Sequence, residues 1–310
     1  MCPSSRSIAV RHPDGLSATL HRLLAPVAPP GLTPGPTPRI SILVPCFDSA
    51  TTVARAVESA LAQTTPAHEV IVCDDGSHDR PESALEPVRD QITVLRKRNG
   101  GGASALNHAL AAATGDFVAI LDADDVYDPE RIAAIGAAAA ARPDLDIVTT
   151  DAWLDQDGRR IGTYSGANPF AVSGQRSAIL ETCFPGGWPA VRRARLLEIG
   201  GFDESYRVAY DWECWLRLIL GGSSVGMVDA PLMTYHVHEG SLSADKVLSL
   251  QERLRLLRAV DSDRLSPGER QARSRAVGRD SRRLVRLQLR LRGGALRRAI
   301  GRSGRSRPHA

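Results

Sequence analysis

Gly115-Asp-Phe-Val-Ala-Ile-Leu-Asp-Ala-Asp-Asp125 decides the fold. Phe117 to Leu121 form an apolar run without alternation, as expected of a parallel strand buried on both faces. The run stops at Asp122, Asp124 and Asp125. Asp128-Pro129-Glu130 then opens a helix, with a capping acid, a proline in the first turn and a carboxylate near the positive end of the dipole. Gly115 closes the helix before it, which carries Leu106, Leu110 and Ala113.

The same alternation extends both ways. Upstream, Ile40 to Val44, Glu69 to Cys73 and Ile92 to Leu95 read as strands, with a helix on Val53, Ala56, Val57, Ala60 and Leu61 between the first two. Ser49, Thr51 or Thr52 is available to cap that helix. Downstream, Asp146 to Thr150 is a fifth strand. The βαβα succession predicts a doubly wound α/β sheet with helices on both faces. Beyond residue 150 the pattern is mixed. A hairpin is expected around Asp157-Gly158, and helices near 193–199 (ended by Gly200-Gly201) and 211–221. Arginines and leucines take helical spacing from 247, and Ser303 to Ala310 should fray.

Residues 1–25 show no strong periodicity. Six prolines within 26–38 make an extended linker, so the expected division is 1–38 as extension and linker, 39–245 as the main domain and 246–310 as an Arg-rich helical region.

With 310 residues, 43% hydrophobic and 24% charged, the chain is globular rather than disordered or coiled-coil. No run of 18 apolar residues exists, and the opening Met-Cys-Pro-Ser-Ser-Arg leads into no apolar signal core, so neither a transmembrane helix nor secretion is expected. Cys2, Cys46, Cys73, Cys183 and Cys214 include no C-x-x-C pair, which argues for a reducing compartment and against structural zinc. Residues 251–310 hold 18 Arg against 5 Asp and Glu, and the rest of the chain carries an acidic excess of nine. An acidic body thus bears a basic tail.

In an open α/β sheet, ligands bind beyond the carboxyl ends of the strands. Three strands end there in polar or acidic groups: Pro45-Cys-Phe-Asp48, Asp74-Asp-Gly-Ser-His-Asp79 and Asp122-Ala-Asp-Asp125. Clustered carboxylates repel one another, and the usual compensation is Mg²⁺ or Mn²⁺. No G-x-G-x-x-G follows the first strand and no G-x-x-x-x-G-K-[ST] occurs, which disfavours dinucleotide-binding and P-loop enzymes.

These segments, together with Ser59-Ala-Leu-Ala-Gln63, Asn99-Gly-Gly, Ala105-Leu-Asn107, Gly201-Phe-Asp-Glu204, Asp211-Trp-Glu-Cys-Trp-Leu-Arg217 and His238-Glu-Gly-Ser-Leu-Ser243, resemble a family 2 glycosyltransferase of the GT-A fold, from about Ile40 to Ser243. The resemblance implies an inverting transfer of a sugar from a nucleotide-diphosphate sugar, expected to be a UDP-sugar, to an acceptor hydroxyl. It implies that Pro45 and Phe47 line the base pocket, that Asp75 accepts the uracil imide, that Asn99 belongs to the donor site and that Asp122 lies near the ribose. Asp124 then ligates Mn²⁺ or Mg²⁺, with His238 as a second metal ligand or a structural histidine. Asp211 is the expected catalytic base. Its competing reading is a helix cap, and Glu213 is its rival. Asp74 is read either as a site residue or as a turn residue, and Arg98 either as a donor contact or as a solvated loop residue. Trp188 is either an acceptor platform or a buried packing residue.

The expected partners are the nucleotide-sugar donor and a saccharide or lipid-linked saccharide acceptor, in cell-surface polysaccharide or glycolipid synthesis. Leu284, Leu287 and Leu291, interleaved with arginines, form a basic amphipathic helix. That helix suits either the acidic body or an anionic membrane. The expected location is the cytoplasm, at the inner face of the membrane if the helix binds there. No nucleic-acid partner is expected, for want of an aromatic-rich recognition motif. Two alternatives differ in kind. A nucleotidyltransferase wants a Gly- and Arg-rich signature after the first strand, which is absent. A catalytically silent nucleotide-sugar-binding or scaffold protein has no need of Asp75, Asp124 and Asp211 together.

Overall fold

The structure, a computed structural model, describes residues 5–11 and 18–303. Its strands are β1 (Ser5–Arg11), β2 (Ala18–Leu24), β3 (Ile40–Cys46), β4 (Glu69–Asp74), β5 (Thr93–Arg96), β6 (Phe117–Ile120), β7 (Val126–Tyr127), β8 (Ile147–Gln156), β9 (Arg159–Thr163), β10 (Ala190–Arg192) and β11 (Val225–His236). Its helices are α1 (Val53–Leu61), α2 (Pro81–Leu85), α3 (Gly102–Ala112), α4 (Arg131–Ala141), α5 (Tyr164–Ala167), α6 (Gln175–Ile179), α7 (Arg193–Glu198), α8 (Tyr210–Leu220), α9 (Lys246–Ala259) and α10 (Pro267–Ser303). The fraying expected at the C-terminus lies, past Ser303, outside the described residues.

One sheet organises the molecule, in the order β1-β2-β11-β8-β10-β6-β3-β4-β5, with β7 on β11 and β9 on β8. β5, β4, β3 and β6 run parallel, as do β8 and β11. β10 lies antiparallel between β6 and β8. The sheet is therefore mixed. A three-residue strand with two long-range partners leaves no local pattern for a sequence reading to detect. The N-terminal segment also does more than extend the chain. β1 and β2 form an antiparallel hairpin, and β2 joins β11 through Leu23 and Leu24. Thr19 and His21 bond Glu130 at the start of α4.

Two apolar cores flank the sheet. Val53, Val57, Ile132, Ile135 and Ala138 of α1 and α4 pack on one face. Leu106, Leu110, Trp212, Trp215 and Ile219 of α3 and α8 pack on the other. The second core continues into the Arg-rich region through Leu256, Leu257, Leu265, Ala272 and Ala276. Asp280 is fully buried between Arg253 and Arg279. Past residue 281 the helix leaves the body, and Val285, Leu289 and Leu291 are exposed. The hairpin at Asp157-Gly158 forms as expected, both residues adopting positive φ (53° and 78°), the twist that suits tight hairpins.

Candidate functional site

The carboxyl ends of β3, β4 and β6 open on one edge of the sheet, where the polar segments gather. Asp75 follows β4 and is 2% exposed. Its Oδ1 accepts from Lys97 Nζ (2.7 Å) and the Gly100 amide (3.0 Å), and its Oδ2 from the Gly101 amide (2.6 Å). The carboxylate thereby pins the glycine loop that leads into α3. Lys97, not the exposed Arg98, supplies the charge here. Gly76 is at φ +80°, and a Cβ there would stand 3.0 Å from the Asn99 amide nitrogen, so this crossing of two loops requires glycine. Asn99 itself is exposed on the loop. Pro45 pairs across to Cys73, and Phe47, 42% exposed, stands edge-on to His78 at 5.9 Å. Asp74 accepts from the Ser77 amide and hydroxyl (2.9 and 2.6 Å) and pairs with Arg96, so it shapes the turn.

The second group is the acidic rim after β6. Burial first, then the charges of Asp125, Asp124 and Asp211, push Asp122 well above the usual carboxylate range. Asp125 is buried, accepts from the His236 amide (2.8 Å), and leaves Oδ2 without a partner. Asp124 is partly exposed and bonds His238 Nε2 at 2.8 Å, so residues 114 apart in sequence meet. Arg55 of α1 donates to the Asp124 carbonyl (3.2 Å).

Asp211 lies in the first turn of α8. Its Oδ1 accepts from the Trp212 amide (2.7 Å), and a Cβ on Gly187 would come 3.1 Å from Oδ2, so the Gly186-Gly187 turn leaves room for this carboxylate. Burial pushes Asp211 up to about 6. Glu213, its rival, is committed elsewhere. It forms a two-point bridge to Arg217 (2.6 and 2.8 Å), which also holds the Ile199 and Gly201 carbonyls. Trp188 is 3% exposed, packs on Tyr164 (4.9 Å) and Tyr235 (5.4 Å) and donates to the Thr150 carbonyl, so it is a core residue rather than a platform. Tyr210 joins the site without any local signal in the sequence to mark it. Burial, then Asp122 and Asp211, raise its phenol, and its hydroxyl sits where a Gly102 side chain would begin.

The Arg-rich region reaches this site. Glu252 of α9, 6% exposed, accepts from the amides of Arg207 (2.8 Å), Val208 (2.7 Å) and Ala209 (3.0 Å), the residues leading into α8 and Asp211. An anion at a helix N-terminus satisfies otherwise orphaned amides. Arg253 stacks on Trp212 at 4.6 Å. No local pattern announces either contact. The one available signal is an acid standing alone among leucines and arginines.

Among the described residues no three His, Cys, Asp or Glu side chains form a ready-made metal cage. Mg²⁺ and its analogues, however, commonly use one or two protein ligands plus substrate phosphates. Asp124 and His238, already in contact and partly exposed, fit that use. The unpartnered Asp125 Oδ2 and the crowded Asp122 show negative charge in excess at the rim.

The sequence model for glycosyl transferase family 2 matches residues 41–200. The succinoglycan biosynthesis protein ExoO of Rhizobium meliloti is 30% identical over 225 residues, 66% of this chain and 63% of that one. Among solved structures, residues 1–349 of Staphylococcus aureus TarS in complex with UDP superpose with a TM-score of 0.61 at 21% identity, over 78% of this chain and 71% of that one. The Pyrobaculum calidifontis mannosyltransferase PcManGT, in complex with GDP-Man and Mn²⁺, gives 0.59 at 21% identity, over 86% and 83%. Both likenesses are of fold, a mixed α/β sheet with flanking helices.

Proposed function

The chain belongs to glycosyl transferase family 2 and is a glycosyltransferase; from that premise we propose a metal-dependent, inverting transfer from a UDP-sugar to an acceptor hydroxyl, in cell-surface polysaccharide or glycolipid synthesis. The observation that carries it is the convergence of a half-shielded carboxylate, Asp211, with the acidic rim of Asp122 and Asp124, each element coming from a different part of the chain. Asp211 takes the proton of the acceptor hydroxyl as its oxygen bonds the anomeric carbon. The bond from that carbon to the phosphate oxygen breaks with inversion, and the nucleoside diphosphate leaves. A base titrating near the working pH suits this task, and burial supplies that tuning.

On the donor side, Pro45 and Phe47 flank the base. Asp75 already accepts from Lys97, Gly100 and Gly101, the Gly100 amide being shared between its two oxygens, and we assign it to the uracil imide as a further donor. Asn99 and Asp122 face the ribose and diphosphate. Asp124 and His238 would hold Mn²⁺ or Mg²⁺, which would supply positive charge to the leaving diphosphate. The structures bearing UDP, or GDP-Man with Mn²⁺, support this reading, as ExoO supports the polysaccharide context. No helix of the described residues is long and apolar enough to cross a membrane. We place the protein in the cytoplasm, with the exposed stretch of α10 as a peripheral contact to an anionic membrane. The division at residues 38 and 245 becomes one of role, with 39–245 carrying the donor site and rim.

Asp211→Asn tests the assignment. The change is nearly isosteric, so donor affinity by calorimetry is retained while transfer falls by about 10²–10⁴. Normal turnover in Asp211→Asn would remove Asp211 as base.

A further inference from the structure

The glycine turn beside Asp211 is tied down by donors from three different elements. The Pro185 carbonyl accepts from the Thr149 hydroxyl of β8 (2.9 Å), the Gly186 carbonyl from Trp215 Nε1 of α8 (3.0 Å) and the Trp188 carbonyl from Arg131 Nη2 of α4 (2.7 Å). Between the last two tethers lies Gly187, where a side chain would stand 3.1 Å from Asp211 Oδ2. The placing of that carboxylate therefore depends on where the turn is held.

Arg131 is the unusual tether, because it is charged and 0% exposed. It opens α4 next to the exposed Asp128 and Pro129, yet its side chain turns inward. Its Nη1 donates to Thr150 Oγ1, its guanidinium stacks on Tyr127 at 4.4 Å, and its Nε is buried without a partner. Desolvating a guanidinium costs far more than burying an apolar side chain of the same length. What the charge supplies is a rigid two-armed donor. One arm rests on β8 and the other on the turn, and Trp188 closes the loop by donating its indole N–H to the Thr150 carbonyl (3.3 Å). A single bond would leave the turn free to pivot, whereas two arms on a planar fork fix distance and direction together.

We propose that Arg131 is a positioning residue for the transfer: its buried fork fixes the Gly186–Trp188 turn against Asp211 and so keeps that carboxylate shielded and aimed at the acceptor hydroxyl. This rests on the reading of Asp211 as the base, and Arg131 acts on it through the turn.

The test is carboxyl-carbon NMR of the full chain labelled at aspartate, with the Asp211 signal assigned by its loss in Asp211→Asn. The wild-type signal should titrate near 6. The groups facing Asp211 are Asp122 beyond β6, Tyr210 and Cys214 of α8, Tyr164 and Cys183 from the stretch before the turn, and Arg253 of α9. All of them stay in place in the variants. Arg131→Met removes both arms and the charge. If the fork holds the turn, water reaches Asp211 and its midpoint falls towards the ordinary 3.8. Loss of a positive charge acting through space would move it upwards instead. Arg131→Lys keeps the charge and one arm and should recover part of the wild-type value. Thr150→Val removes one arm with the charge intact. It should give a smaller fall in the same direction, and it keeps the test decisive if Arg131→Met does not fold. Near-UV circular dichroism checks that each variant is packed. An arginine with a merely structural role would lower the melting temperature and leave the Asp211 midpoint where it is. An unmoved midpoint in the folded variants, an upward shift, or a wild-type midpoint already at the ordinary value would each overturn the proposal. Because the readout is protonation rather than turnover, these outcomes leave the base assignment to the activity of Asp211→Asn alone.

Discussion

Replacing Glu252 with glutamine should damage catalysis from a helix that holds none of the expected site residues. Glu252 Oε1 accepts from Arg207, and Oε2 accepts from Val208 and Ala209. Glutamine has one oxygen. If it keeps the two amides at Oε2, its NH₂ group faces the Arg207 N–H, one bond is lost and two donors confront each other. A hydrogen bond to a charged acceptor is worth about 1.5–3 kcal/mol, and the lost charge at the start of α8 about 0.3–1 more. The fold should therefore lose about 2–4 kcal/mol and survive, since domains hold roughly 5–15. Urea unfolding followed by tryptophan fluorescence measures this. The residues released lead straight into Asp211, and a displacement of about 1 Å at a reacting group costs on the order of 10² in rate. Release of nucleoside diphosphate should show kcat down by about 10–100-fold while donor affinity holds, because Asp75 and its loop are untouched. Unchanged stability together with unchanged kcat would refute the idea that α9 sets the entrance to α8.

Four further outcomes are expected. The raised Asp211 makes transfer climb as pH rises through about 6 and level above it; a flat profile from pH 5 to 8 would contradict this. The same shift has a stability cost of opposite sign. A carboxyl raised from 3.8 to about 6 in the folded state contributes fully below its unfolded value and loses that contribution as pH rises through 6. Asp211→Asn should therefore be more stable than the wild type at pH 7.5, by about 1–3 kcal/mol allowing for partial exposure, and not at pH 4, as thermal denaturation at the two values would show. Donor affinity should fall in EDTA and recover with Mn²⁺, and Asp124→Ala should abolish the difference in calorimetry. Removing residues 282–310 should preserve donor binding and lower association with phosphatidylserine vesicles, whereas a cut at 251 also strips Glu252 and the apolar residues of α9 and should destabilise the body.

Much of this was legible in the sequence because the deciding strands are buried on both faces. Ile42, Val44, Val72, Val118 and Leu121 are all fully shielded, and runs of that kind need no partner to be recognised. The rim was legible for the same reason: carboxylates that directly follow such a run fall at the strand ends. What escaped depends on separation. β10 takes its direction from neighbours far away in the chain, and Glu252 and Arg253 meet α8 through folding of the helix pair. The sequence around Trp188 suits platform or core equally, and only the distant Tyr164 and Tyr235 that enclose it decide for the core.

The seat of the N-terminal hairpin has a consequence for biosynthesis. β2 docks on β11 with Leu24 opposite Met227, so during synthesis these strands wait for a partner some 200 residues further along the chain. At about 5–20 residues per second that delay is roughly 10–40 s. A two-stranded hairpin alone is marginal in water, and its free edge is open to wrong pairing throughout. The slow step for a nascent chain should therefore be closure of this edge. Translation speed across the codons for 25–225, and chaperones that shield exposed strands, should govern yield more than the strength of either core.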